Sequence, residues 1–115
     1  MEVTYYISIE KLNTVRDIAE LEHNSDAMRI EFGPNTPWGN HYHKKRTENF
    51  ALIKGDLTAK YWPPESPNEI LEVKLEVGDV VTVSPGLAHE YLSTGNAVAL
   101  EFASTTFKAS ALYKH

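Results

Sequence analysis

The sequence predicts an all-β sandwich or barrel. Three observations carry the prediction: eight or nine short runs of strand formers, turn residues between them at regular spacing, and no long helical period. A chain of 115 residues suits one small domain, residues 1–115, with a single core.

Tyr5-Tyr6-Ile7-Ser8-Ile9 is rich in strand formers and reads as an edge strand. Leu12, Val15, Ile18 and Leu21 recur at every third position, which gives at most a short helical turn near the N-terminus. Met28, Ile30 and Phe32 alternate with Arg29 and Glu31, the pattern of a half-buried strand, and Gly33-Pro34 ends it. Asn35-Thr36-Pro37-Trp38-Gly39 reads as a loop. Further strands are expected at His41–His43, Glu48–Ile53, Asp56–Trp62, Ile70–Leu75, Val80–Val83, Glu90–Ser93 and Val98–Phe102. The punctuation between them is Gly55-Asp56, the proline-rich run 63–68, Gly78-Asp79, Pro85-Gly86 and Gly95-Asn96. In the aperiodic tail, Phe107, Leu112 and Tyr113 are expected to cover an open barrel end or a second subunit.

Composition narrows the chemistry. The chain has no cysteine, so disulfides, thiolate ligands and cysteine nucleophiles are excluded together, and a metal site must use nitrogen and oxygen. A formal charge of -5 argues against nucleic acid as a partner. The N-terminus lacks the basic start and apolar run of a signal peptide, and no apolar stretch reaches the length of a membrane span. The expectation is a soluble, cytoplasmic protein.

His41 and His43 are separated by one residue, which in a strand puts both imidazoles on one side. Glu48, opening the next strand, reaches the same ion if the two strands are neighbours. His89 follows the rigid Pro85-Gly86 turn and opens a strand that carries Tyr91 and Ser93 on its own face. His41, His43, Glu48 and His89 thus make a three-histidine, one-carboxylate set.

These residues resemble the cupin superfamily. Its first motif, His-x-His, four residues, Glu, six residues, Gly, is met by His41, His43, Glu48 and Gly55. Gly78, Gly86 and His89 match the second motif, in which Ser84 replaces the usual proline and Ser93 the usual asparagine. The resemblance implies a small jelly-roll β-barrel with a metal inside it, and a homodimer. A narrower likeness joins Gly39–His43, Thr47–Phe50 and Leu100–Ser104 with Phe107. These look like the C-terminal cupin domain of capsular-polysaccharide enzymes that epimerise a nucleotide-linked sugar; their reductase part has no counterpart in this sequence.

Imidazole and carboxylate ligands suit zinc, iron, manganese, nickel or copper. Three readings follow. In the first, the metal polarises a sugar carbonyl and the protein epimerises or isomerises the sugar. In the second, ferrous iron serves a dioxygenase. In the third, the pocket binds a small molecule or a metal without catalysis. The first needs an acid–base group, and Tyr91, on the face of His89, is the leading candidate, ahead of Tyr61, Tyr42 and Glu90. By alternation Tyr42 and Glu90 point away from the metal.

Other residues have competing roles. Trp38 stacks on a sugar or caps the core, and Phe50 and Leu52 are expected in the core. Lys44-Lys45-Arg46 is a solvated turn or a phosphate contact. His23 and His115 are expected in solvent. Glu101 is expected to face solvent or a partner chain, because Leu100 and Phe102 on the other face look like core residues.

Overall fold

A computed structural model of the chain describes residues 5–11, 27–41 and 47–103, with nine strands. They are β1 (Ile7–Lys11), β2 (Met28–Phe32), β3 (Pro37–His41), β4 (Glu48–Lys54), β5 (Leu57–Trp62), β6 (Leu71–Leu75), β7 (Asp79–Val83), β8 (Ala88–Ser93) and β9 (Ala97–Ala103). Two antiparallel sheets face each other, one ordered β1-β7-β4-β9-β2 and the other β3-β8-β5-β6. Most connections cross between the sheets, and this makes a jelly roll. The expected helical turn, His23, Lys44-Lys45-Arg46 and the tail lie outside the described residues. No helix among the described residues is long and apolar enough to cross a membrane.

Alternation sets the interior. Leu57, Ala59 and Tyr61 of β5 and Tyr91 of β8 pack against Phe50 and Leu52 of β4, Val81 and Val83 of β7, and Ile30 and Phe32 of β2. Phe50 and Tyr91 stack across the sandwich with ring centroids 3.6 Å apart and planes within 5°. A second apolar layer, Ala51, Val80, Leu100 and Phe102, occupies the opposite face of the five-stranded sheet. Asn49 and Thr82 lie in that layer as a satisfied polar pair, the Thr82 hydroxyl donating to Asn49 Oδ1 at 3.0 Å and Asn49 Nδ2 to the Phe102 carbonyl at 3.2 Å.

The turns sit where the sequence marks them. Gly55, Gly78 and Gly86 all have positive φ, between 87° and 95°. Gly55 has no room for a side chain, because a Cβ there would run into the Asn96 carbonyl oxygen. Ser84 and Ser93 each bind backbone. Ser84 accepts from the Tyr6 N–H on its hydroxyl and donates its own N–H to the Tyr6 carbonyl, both at 3.0 Å, which ties the N-terminal segment to the β7–β8 turn. The fully buried Ser93 hydroxyl donates to the Gly33 carbonyl at 2.6 Å and accepts from the Thr36 N–H at 3.1 Å, which fixes the β2–β3 connection.

One segment departs from expectation. Pro37, Trp38 and Gly39, expected in a loop, belong to strand β3. β3 is an edge strand, and Pro37 is its first residue, a place where the missing N–H costs no ladder bond. Gly39, at φ 106°, then forms a bulge, and the register jumps from Gly39↔Glu90 to His41↔His89. The extra residue brings both Trp38 and His41 opposite inward-facing residues, Tyr91 and His89. Without the bulge, alternation would place Asn40 opposite His89.

Candidate functional site

The β4–β5 turn at Gly55 joins the Leu52 end of one sheet to the Leu57 end of the other, and Leu57 pairs with Ser93. Glu48 and His89 therefore share the opposite end of the sandwich, on facing sheets. Glu48 opens β4 at an inward position, 5% exposed. His89, 2% exposed, is the second residue of β8, opposite Tyr61 on one side and His41 on the other. Of the four expected ligands, these two have described side chains. His41 is placed by its backbone alone, and His43 lies outside the described residues. Among the described residues no three histidine, aspartate or glutamate side chains form a metal-sized cluster.

Local geometry holds the His89 ring. Its Nδ1 lies 3.3 Å from the Leu87 carbonyl, which can only accept, so the ring donates there through Nδ1–H. The ring sits 5.7 Å from that of Tyr91.

Tyr91 is buried, as is Tyr61, whose hydroxyl donates to the Tyr91 hydroxyl at 3.4 Å. Burial pushes both phenols up from the ordinary tyrosine range; at Tyr91 the neighbouring phenol and the Glu101 and Glu48 carboxylates push in the same direction. Both phenols stay neutral in the folded protein, whereas in the unfolded chain they ionise near pH 10. The stabilisation is thus complete below that pH and is lost as pH rises above it. Alkaline titration is expected to lower stability progressively above pH 10, with both phenols contributing. Urea midpoints between pH 9 and 11 check this, and a Tyr61→Phe variant should show a shallower slope.

The expectation that Glu101 faces outward is overturned. Ala97 and Ala99 of β9 pack in the interior, and Glu101 shares their parity, while Leu100 and Phe102 form the outer apolar layer. The inner face of β9 carries small residues because Phe50 and Tyr91 already fill the space beside it. Trp38 is half-buried against the core, and its indole N–H donates to Glu101 Oε2 at 3.4 Å. A signal for this inversion lies in the sequence: β4 and β7 are apolar at both parities, the mark of a sheet buried on both faces. Glu90 is on the outer parity, as expected, and Phe50 and Leu52 are core.

No protein-family model matches the sequence, and no curated protein matches it. Solved structures do match in three dimensions. The capsular polysaccharide assembling protein CapF from Staphylococcus aureus superposes with a TM-score of 0.60 at 22% identity, over 67% of this chain and 23% of CapF. The chain thus spans about a quarter of that protein. The Drosophila melanogaster CENP-C cupin domain gives a TM-score of 0.61 at 13% identity, covering 70% of this chain and 57% of that one. The 3,4-ketoisomerase QdtA from Thermoanaerobacterium thermosaccharolyticum, solved with TDP-4-keto-6-deoxyglucose, gives 0.69 at 16% identity, over 94% and 86%. With the nine-stranded topology, these likenesses establish that the chain folds as a small cupin jelly roll.

Proposed function

We propose that the protein is a metal-dependent enzyme that epimerises or isomerises a sugar or nucleotide-sugar carbonyl compound, with the metal held by His41, His43, Glu48 and His89. The observation that supports the reading is that Glu48 and His89, both buried, stand at the same end of the sandwich on facing sheets, with His41 in register beside His89. The donor chemistry fits a divalent cation: an imidazole with Nδ1 anchored on a carbonyl, and a buried carboxylate to balance charge. The substrate class draws support from CapF and QdtA, one named for capsular polysaccharide assembly and the other a ketoisomerase with a keto-sugar nucleotide bound.

A bound divalent metal supplies Lewis-acid polarisation of a carbonyl. The chain's own residues do the rest. The Leu87 carbonyl keeps the His89 ring in one orientation. The Phe50–Tyr91 stack forms a dry wall beside the ligands, so charge developing there is poorly screened by water. Tyr91, held neutral and within hydrogen-bonding reach of Tyr61, is an acid that can donate but not a base near neutral pH.

Deuterium wash-in tests the reading. Zinc- or manganese-loaded protein, given TDP-4-keto-6-deoxyglucose in D2O, is expected to exchange a C–H proton next to the ketone, as followed by proton NMR. Chelation should stop the exchange and metal return should restore it, with far-UV circular dichroism unchanged, since the β-core does not depend on metal to fold. Oxygen uptake by the iron-loaded protein without such exchange would refute the proposal.

A further inference from the structure

The four-stranded sheet ends at β6, and among the described residues nothing pairs with its outer side. Its five residues, Leu71–Leu75, run against β5 in an unbroken register, with no proline, glycine or bulge. Exposed edges are ordinarily guarded by such features. Edge strand β3 has them, with Pro37 at its start and the bulge at Gly39. On edge strand β2, Arg29 and Glu31 pair with each other at 3.6 Å, and on β1 Lys11 is held by Glu76 and Asp79.

β6 also leaves apolar surface uncovered. Leu71, on the parity of the core residue Leu75, is 52% exposed, and Ile70 beside it is 51% exposed. Between Leu71 and Ile7 of β1 the two sheets part around a cleft of about 170 Å³, so the interior is open along this flank. On the outer face of the sheet the charges follow an order. Glu90, Lys60 and Glu72 stand side by side across β8, β5 and β6, with Lys60 Nζ 3.9 Å from Glu72. This row alternates in sign and stops at the edge on a carboxylate. Lys74, on the same face of β6, has no carboxylate partner among the described residues.

The order of residues in β6 is self-complementary. Residues that point both backbone groups off an edge alternate along the strand, so a two-fold antiparallel pair has its axis on a residue and never between two. An axis on Glu72 sets glutamate against glutamate, and one on Lys74 sets lysine against lysine. The axis on Val73 pairs all five residues: Leu71 with Leu75, Val73 with itself, and Glu72 with Lys74 twice over. It also adds the cation that the charge row lacks at the edge.

We propose that the β6 edge is the surface through which two copies of this chain associate, antiparallel about a two-fold axis at Val73, to form one continuous eight-stranded sheet. The matching of Glu72 to Lys74 selects a second copy over an unrelated strand, and it rejects the neighbouring registers by like-charge contact. Leu71 meets Leu75 of the second copy, which carries the apolar inner layer across the axis. Each chain has one such edge, so the pairing closes at the dimer and does not propagate.

Sedimentation velocity of the full chain over a concentration series tests the proposal, and a concentration-dependent dimer is expected. Glu72→Lys and Lys74→Glu each set like charges opposite one another at both pairs, and each is expected to weaken the dimer about 10–100-fold. Mixed in equal amounts, the two variants regain unlike pairs in a heterodimer, and affinity is expected to return to near the wild-type value. Loss of folding cannot mimic that rescue. The chain lacks cysteine, so Val73→Cys places a single thiol opposite its own copy, and mild oxidation is expected to lock the dimer. Leu71→Cys sets the two thiols about 14 Å apart along the strands and is expected to stay unlinked. A wild-type chain that is monomeric at every concentration would overturn the proposal. So would a dimer that both charge variants leave intact, or one that Val73→Cys fails to lock.

Discussion

Zinc bound per chain is expected to collapse in His89→Ala, with an affinity loss larger than the roughly 10–100-fold that removal of an outer-shell partner costs. The ring is buried and its Nδ1 lies against the Leu87 carbonyl, so the proposed bond to metal falls to Nε2. Alanine leaves a cavity as well as a missing ligand, so His89→Asn is the sharper variant. Its amide N–H can take over the bond to Leu87 while no donor remains at the Nε2 position. Both variants should remain folded by far-UV circular dichroism, and elemental analysis reads the metal. Wild-type zinc content in both would remove His89 from the ligand set.

Phe50→Ala is expected to cost about 3–5 kcal/mol, the largest stability loss of any substitution considered. Phe50 is 1% exposed and spans the gap between the sheets by lying flat on Tyr91 at 3.6 Å. Its removal opens a void that the rigid β4 and β8 backbones can close only in part, and it takes away the face on which the Tyr91 ring rests. For a domain of this size such a loss approaches the whole of its stability. Urea denaturation checks it, with Phe50→Leu as the milder comparison. A loss below about 1 kcal/mol for the alanine variant would mean that the stack contributes little to the sandwich.

Much of the fold was legible because β-structure writes itself locally. The alternation in Met28–Phe32, Leu57–Trp62 and Ala88–Ser93 reports burial directly, and Gly55, Gly78 and Gly86 mark turns that require positive φ. Pro37–Gly39 was misread as a loop because proline and glycine signal a break wherever they occur. At the start of an edge strand and at a bulge, the same residues are tolerated. Glu101 was misread for a different reason. In Ala97–Ala103 the larger side chains mark the interior only if one face alone is buried, and here both faces carry an apolar layer.

The sequence by itself determined the number and position of most strands and the turns between them, since each depends on residue type and spacing along the chain. Only the tertiary structure decided which face of β9 points inward, that a bulge at Gly39 puts His41 opposite His89, and that Trp38 meets Glu101. Alternation fixes that a strand has two faces but not which of them meets the other sheet. That choice is made by the volume already filled across the sandwich, where the Phe50–Tyr91 stack leaves room beside it for alanines and one carboxylate.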